Sequence, residues 1–184
     1  MSTANTAMHI LLIRHAEKPD PDRKIGGVDP SGNIDPLSLS PRGWQRAGAL
    51  VCAFSASGAV TARFPTPSRI YAARFRAGHK GSHRSAQTVA PLAEKLALSV
   101  DLSFGLGDEQ AIALEATRAS GPVLICWQHE GIAEIATHIV GNGVDAIPAQ
   151  WPADRFDLIW SCTRDAQQWT FAETPQILLP GDSE

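Results

Sequence analysis

Two histidines and two arginines in this 184-residue chain stand where a backbone element stops or starts. Arg14-His15 follows four large apolar residues, Ile10 to Ile13, that read as a strand buried on both faces, and Pro19 soon ends any continuation of it. Neighbouring strand side chains point to opposite faces, so the two can serve one ligand only if the backbone turns there. His129 follows a second wholly apolar run, Val123 to Trp127, across Gln128. Arg84 falls in the first turn of a helix that Ser82 can cap, among free backbone amides and a helix dipole that both favour an anion. Ligands of open parallel sheets bind just beyond the carboxyl ends of the strands. A guanidinium and an imidazole side by side at such an end suit an anion. Taken alone, Arg14-His15 reads first as a strand-end pair making local hydrogen bonds; recurrence of the same residue types at other strand ends and a helix start shifts the balance toward function.

The elements that must hold these residues alternate. After the first strand, residues 19–39 carry repeated Asp, Pro and Gly without periodicity and read as a long loop. Ser40-Pro41 starts a helix, with Trp44, Ala47, Leu50, Val51 and Phe54 on one face and an end near Ser57-Gly58. Residues 69–73 form a second strand and 98–102 a third. Between them lies a helix with Ala86, Val89, Ala90, Ala93 and Leu96 along one side, bent at Pro91. Asp108 can cap a helix bearing Ile112, Leu114, Ala116 and Ala119, ended by Gly121-Pro122. Residues 123–127 are a central parallel strand, and Ile132, Ile135, Ala136 and Ile139 mark a helix closed by Gly141-Asn142-Gly143. Phe156 to Cys162 and Gln168 to Ala172 suggest a terminal hairpin across Thr163 to Ala166. The alternation predicts an α/β fold, three-layer α/β/α with a mostly parallel sheet.

Composition narrows the classes. A 43% hydrophobic chain of this length suits one compact domain, residues 8–184, behind a frayed N-terminus at 1–7. Sixteen Lys and Arg against nineteen Asp and Glu give no general reason to bind nucleic acid or an anionic membrane, so an anion site must be a local cluster. Cys52, Cys126 and Cys162 are odd in number and set among apolar residues, which predicts buried free thiols and a reducing compartment. No stretch has the apolar length of a membrane span and no leader pattern opens the chain, so the expectation is a cytoplasmic protein. None of His9, His15, His79, His83, His129 and His138 forms a short paired metal-ligand motif.

In this order and spacing the motifs resemble the histidine phosphatase superfamily, the phosphoglycerate-mutase-like proteins, over most of Ile10 to Val140. The family's strand ending in Arg-His-Gly is matched by Arg14-His15-Ala16, and its Leu-Thr-x-x-Gly helix start by Leu39-Ser40-Pro41-Arg42-Gly43. A strand, a loop and an arginine opening a helix are matched by Ile70 to Ala72 and then Ser82 to Thr88. The late histidine after an apolar strand is matched by His129. The resemblance implies a phosphoglycerate-mutase-like fold and a metal-independent, cofactor-free phosphomonoesterase acting on a small phosphorylated metabolite or a phosphoprotein. His15 would be the nucleophile forming a phosphohistidine, with Arg14, Arg84 and His129 around the phosphoryl oxygens. A phosphate-binding regulatory module of the same fold and a phosphoglycerate-type mutase are the alternatives.

The resemblance leaves the general acid open. One branch of the family places it after the arginine helix and third strand, which here offers Glu109 first and Asp108 second. Another places it directly after the second histidine, where this chain has Glu130; Glu17 is a third candidate. Glu109 is the choice made from sequence. Two departures, Ala16 in place of Gly and Lys18-Pro19-Asp20-Pro21 where substrate contacts often follow, prevent specificity from being carried over. The segment Arg74 to Lys80, with Arg76, His79 and Lys80, either extends the anion site or is a solvated loop.

Overall fold

A computed structural model describes residues 7–56, 61–78, 81–141, 147–166 and 168–183 of the chain. Its centre is β1 (Met8–Arg14), whose side chains alternate between two cores. Ile10 and Leu12 enter one core and Leu11 and Ile13 the other, as the two-residue period of a strand requires. The remaining elements are α1 (Pro41–Phe54), β2 (Arg69–Ala72), α2 (Arg84–Lys95), β3 (Val100–Asp101), α3 (Glu109–Thr117), β4 (Val123–Trp127), α4 (His129–Val140), β5 (Leu158–Asp165) and β6 (Gln168–Pro175). All six strands belong to one sheet in the order β3-β2-β4-β1-β5-β6, parallel from β3 through β1 and antiparallel at β5 and β6. Leu50, Phe54, Val89 and Leu92 from α1 and α2 fill one face, while Ile112, Ile132 and Ile135 from α3 and α4 fill the other. The expected three-layer, mostly parallel architecture is therefore the one observed.

Parallel register sets the strand ends that matter. Arg14 pairs with Trp127, Ala72 with Cys126, and the His15 amide donates to the Trp127 carbonyl at 3.0 Å. The carboxyl ends of β1, β4 and β2 thus lie side by side, with α2 and α4 starting nearby in sequence. The Ser40 hydroxyl accepts the Gly43 amide at the start of α1 and donates to the Glu17 carbonyl, which fastens that helix to the chain just past His15. A Cβ on Gly43 would come within 2.5 Å of the Glu17 carbonyl oxygen, so only glycine permits this approach.

Several elements differ from the sequence expectation. Helix α1 ends at Phe54 because Ser55 turns extended and its hydroxyl takes the Val51 carbonyl; Ser57 and Gly58 lie outside the described residues. Ser82 is not the cap of α2: His83 holds that position without a side-chain bond, and Ser82 Oγ accepts only the Arg84 amide at 3.4 Å. Helix α2 buries Ser85, Thr88, Val89 and Leu92 and leaves Ala90 exposed, since two hydroxyls meet the Cys126 thiol beneath them. Asp108 turns its carboxylate back to the Gly105 amide and does not cap α3, and Leu114 on that helix is exposed. The terminal hairpin runs further than expected: Thr163 to Asp165 pair with Gln168 to Thr170, and the Arg164 guanidinium lies 5.1 Å from the Trp169 ring centroid. Cys126 and Cys162 are buried, whereas Cys52 is exposed on the outer side of α1. Residues 1–6 and Asn142-Gly143 lie outside the described residues. No described helix is long and apolar enough to cross a membrane.

Candidate active site

His15 ends its strand buried, and its Nδ1–H donates to the Ala16 carbonyl at 2.8 Å. That bond fixes one tautomer and leaves Nε2 with its lone pair. Burial pushes the imidazole down to about 3; the bond to the Ala16 carbonyl is the main opposing effect, and the positive fields of Arg14, Arg84 and His129 add to the lowering. His15 is therefore neutral at physiological pH, the form a nucleophile requires. The charges that act on it come from Arg14 on β1, Arg84 on α2 and His129 on α4.

The two arginines share an unusual feature. Arg14 is 2% exposed and donates from Nη1 to the carbonyls of Ala153 and Arg155, at 2.5 and 3.3 Å. Arg84 donates from Nη1 to the Pro36 carbonyl at 3.3 Å. Neither makes an ion pair among the described residues, and both Nε atoms are buried without a partner. Burial pulls Arg14 down to about 10, with Arg84 pulling the same way and Glu130, Asp154 and Glu17 opposing; burial lowers Arg84 as well, against Asp35. Buried donors without acceptors are costly, and an anion's oxygens are the kind of acceptor that two such cations can take.

His129 begins α4 and donates from Nδ1 toward Glu130 Oε2 at 3.0 Å. Burial and Arg14 lower its basicity while Glu130 raises it. An anion between Arg14 and His129 would reverse the repulsion and favour the imidazolium. Helix α2 is held to the nucleophile's strand through Thr88, whose hydroxyl accepts the Ala16 amide at 2.8 Å and donates to the Arg84 carbonyl. Part of the long 19–39 loop buttresses that helix start, because Gln87 bonds both Leu39 and Ser38 and the His83 amide reaches the Leu37 carbonyl. Beside Arg84 opens a cleft of about 880 Å³, lined among others by Lys18, Arg23, Asp154 and Phe156.

The carboxylates separate by environment. Glu109 is buried, with Oε1 accepting the Trp127 indole at 3.0 Å and Oε2 the Gly107 amide at 2.8 Å. It joins the start of α3 to β4 beneath Gly131, where a Cβ would come within 2.7 Å of Oε1. Glu109 is absent from the charges that act most strongly on Arg14, His15 and His129. Asp108 is tied to the Gly105 amide and lies 3.6 Å from Arg74, which occupies itself with the 102–103 carbonyls. Glu17 is gripped by Arg46 and Arg42. Glu130 alone of these four pairs with a site histidine, and its side chain is 65% exposed. His79 and Lys80 lie outside the described residues. Sequence reading missed the Pro152–Phe156 turn, whose contribution is mainly two backbone carbonyls and so carries no side-chain signal. Among the described residues no group of three or more His, Cys, Asp or Glu side chains stands together as a metal-ligand set.

No protein-family model and no curated protein sequence matches the chain. Solved structures do. A protein assigned as an alpha-ribazole-5'-P phosphatase from Escherichia coli superposes with a TM-score of 0.57 at 12% identity, over 92% of this chain and 97% of its own. A mycobacterial glucosyl-3-phosphoglycerate phosphatase gives 0.53 at 14%, over 90% and 97%. Bacillus stearothermophilus YhfR gives 0.53 at 13%, over 96% and 98%. At such identities the likeness speaks for the architecture. The chain has the phosphoglycerate-mutase-like fold.

Proposed function

We propose that the protein is a phosphomonoesterase that works through a phosphohistidine at His15 without a metal ion. The observation that carries this reading is the pair of buried, unpartnered arginine Nε donors around a neutral imidazole whose Nε2 is free. A phosphate monoester supplies the missing acceptors. Nε2 attacks phosphorus as the bond to the leaving oxygen breaks, while Arg14, Arg84 and protonated His129 hold the three peripheral oxygens. The leaving oxygen takes a proton from Glu130. Water then attacks the phosphoramidate, Glu130 recovers a proton, and orthophosphate departs with His15 neutral again.

As the acid we propose Glu130 in place of Glu109, the choice from sequence. A general acid needs reach to the leaving group and a replaceable proton. Exposed Glu130 beside His129 offers both, whereas each Glu109 oxygen already accepts an N–H. The phosphatase names of two of the superposing structures agree with the reaction class. The test is hydrolysis of a panel of phosphate monoesters in the presence of a chelator, with orthovanadate as competitor. Turnover unaffected by the chelator and blocked by vanadate is expected. Vanadate binding with no turnover on any ester would favour a phosphate-binding module, and chelator-sensitive turnover would reject the metal-free reaction.

A further inference from the structure

We propose that Phe156 is a positioning residue, which with the Ala153 and Arg155 carbonyls holds the Arg14 guanidinium in its phosphate-binding orientation and covers His15. The proposal rests on the phosphate-pocket reading and adds a residue to it. The Phe156 ring lies 3.9 Å from the Arg14 guanidinium carbon and 6.0 Å from the His15 ring, so one half-buried aromatic touches both the cation and the nucleophile. A guanidinium has five N–H donors. Among the described residues, Arg14 bonds leave only from Nη1, to two carbonyls of one turn, and the aromatic ring covers one face. Rotation is thereby fixed, and on the Nε and Nη2 edge, the side-on fork that matches two phosphate oxygens, Nε is buried without an acceptor among the described residues.

The turn is itself anchored. Trp151 is buried and donates from Nε1 to the Arg155 carbonyl at 2.9 Å, so that oxygen serves both the tryptophan and Arg14. The Arg155 amide closes on the Pro152 carbonyl, and the Arg155 side chain pairs with buried Asp157 at 2.6 Å. Trp151 stacks in turn against Trp160 of β5, with ring centroids 5.0 Å apart. Strand β5 thus supports the turn, and the turn supports Arg14. An aliphatic side chain at 156 would still cover His15 but would not attract the cation; tryptophan would do both.

The experiment measures orthovanadate affinity and the pH profile of kcat/KM for wild type, Phe156→Trp, Phe156→Leu and Phe156→Ala, with circular dichroism verifying the fold. Wild-type affinity should survive within about two-fold in Phe156→Trp and fall about ten-fold in Phe156→Leu and Phe156→Ala, the value of a desolvated cation–π contact. The acid limb should move to higher pH in Phe156→Ala alone. Water then reaches an imidazole on which the charges of Arg14, Arg84 and His129 act, the last paired with Glu130. A purely structural loss would lower activity without moving that limb. Equal vanadate affinity in Phe156→Leu and Phe156→Trp, or an unmoved limb in Phe156→Ala, would overturn the proposal. Wild type that does not bind vanadate would instead overturn the pocket reading on which it rests.

Discussion

Arg14 and Arg46 are each 2% exposed, yet they are opposites. Arg46, on α1, is saturated: Glu17 and Asp182 each bond it from both carboxylate oxygens, and Gln176 takes a further N–H. Burial works against its charge, but the hydrogen bonds from Asp182 and Glu17 outweigh it and raise the pKa. Arg14 has two carbonyls, an aromatic face and no carboxylate bond, and its pKa falls to about 10. One residue type at one depth is finished in the first place and unfinished in the second. A buried cation with its counter-ions supplied by the chain is structure, whereas one left without them marks where an outside anion belongs.

The contrast can be sharpened first within the open cluster. Glu130→Gln should lower kcat/KM for an alkyl phosphate by about 10³-fold and for p-nitrophenyl phosphate far less, because the second leaving group needs no proton. Glu109→Gln should show no such contrast. It replaces one acceptor facing an N–H with a donor, so its effect should be a stability loss of about 1–2 kcal/mol in urea titration. Leaving-group dependence in the Glu109 variant alone would return the acid to that residue.

Next come the arginines. Arg46→Met leaves buried Asp182 and half-buried Glu17 with only the more exposed Arg42 as a cation and should cost about 3 kcal/mol of stability. Arg14→Met removes a charge that has no counter-ion, so stability should change by less than about 1 kcal/mol while vanadate affinity falls about 100-fold. Phosphate should raise the Tm of wild type and of a folded Arg46 variant but not of Arg14→Met, since only a ligand bound to the native state stabilises it. Equal stability losses at the two arginines would erase the distinction.

The last comparison separates the regions by pH. His15 titrates at about 3 in the folded chain against 6.5 when free, so between these values only the unfolded chain gains the proton. Stability should therefore fall as pH drops from 6.5 toward 3 and be insensitive to His15 above that window. Asp182 is raised by burial, but Arg46 and the Leu178 and Leu179 amides bring it to about 2 from 3.8. Its contribution is complete above 3.8 and is lost as pH falls toward 2. Urea titrations between pH 7.5 and 2.5 should lose the upper step in His15→Gln and the lower step in Asp182→Asn.

Much of the site was legible because its residues sit at positions that any reader of periodicity can find. Arg14 and His15 close an apolar run, His129 follows another, and Arg84 opens a helix, so parallel register and short connections bring their elements together. What was not legible depends on partners far away in the chain. Nothing in the sequence marks Arg46 until Asp182, 136 residues later, is folded against it. The Arg14 carbonyl partners lie 139 and 141 residues on, and no side chain advertises them. Glu109 holds a place in the order of elements that suits an acid; the Trp127 indole that bonds it becomes visible only once α3 packs against β4. Helix faces were misjudged at Ala90 and Leu114, where small or isolated apolar residues say little about which way a helix rolls.

The central claim is that the open cluster binds a phosphoryl group and His15 accepts it. Rapid quenching of wild type with a ³²P-labelled phosphate ester, followed by peptide mapping, tests it directly. The expected product is a label on His15 that is lost in acid and kept in base, and that is absent from His15→Ala although that variant folds. An acid-stable label, or a label that persists in His15→Ala, would contradict the account.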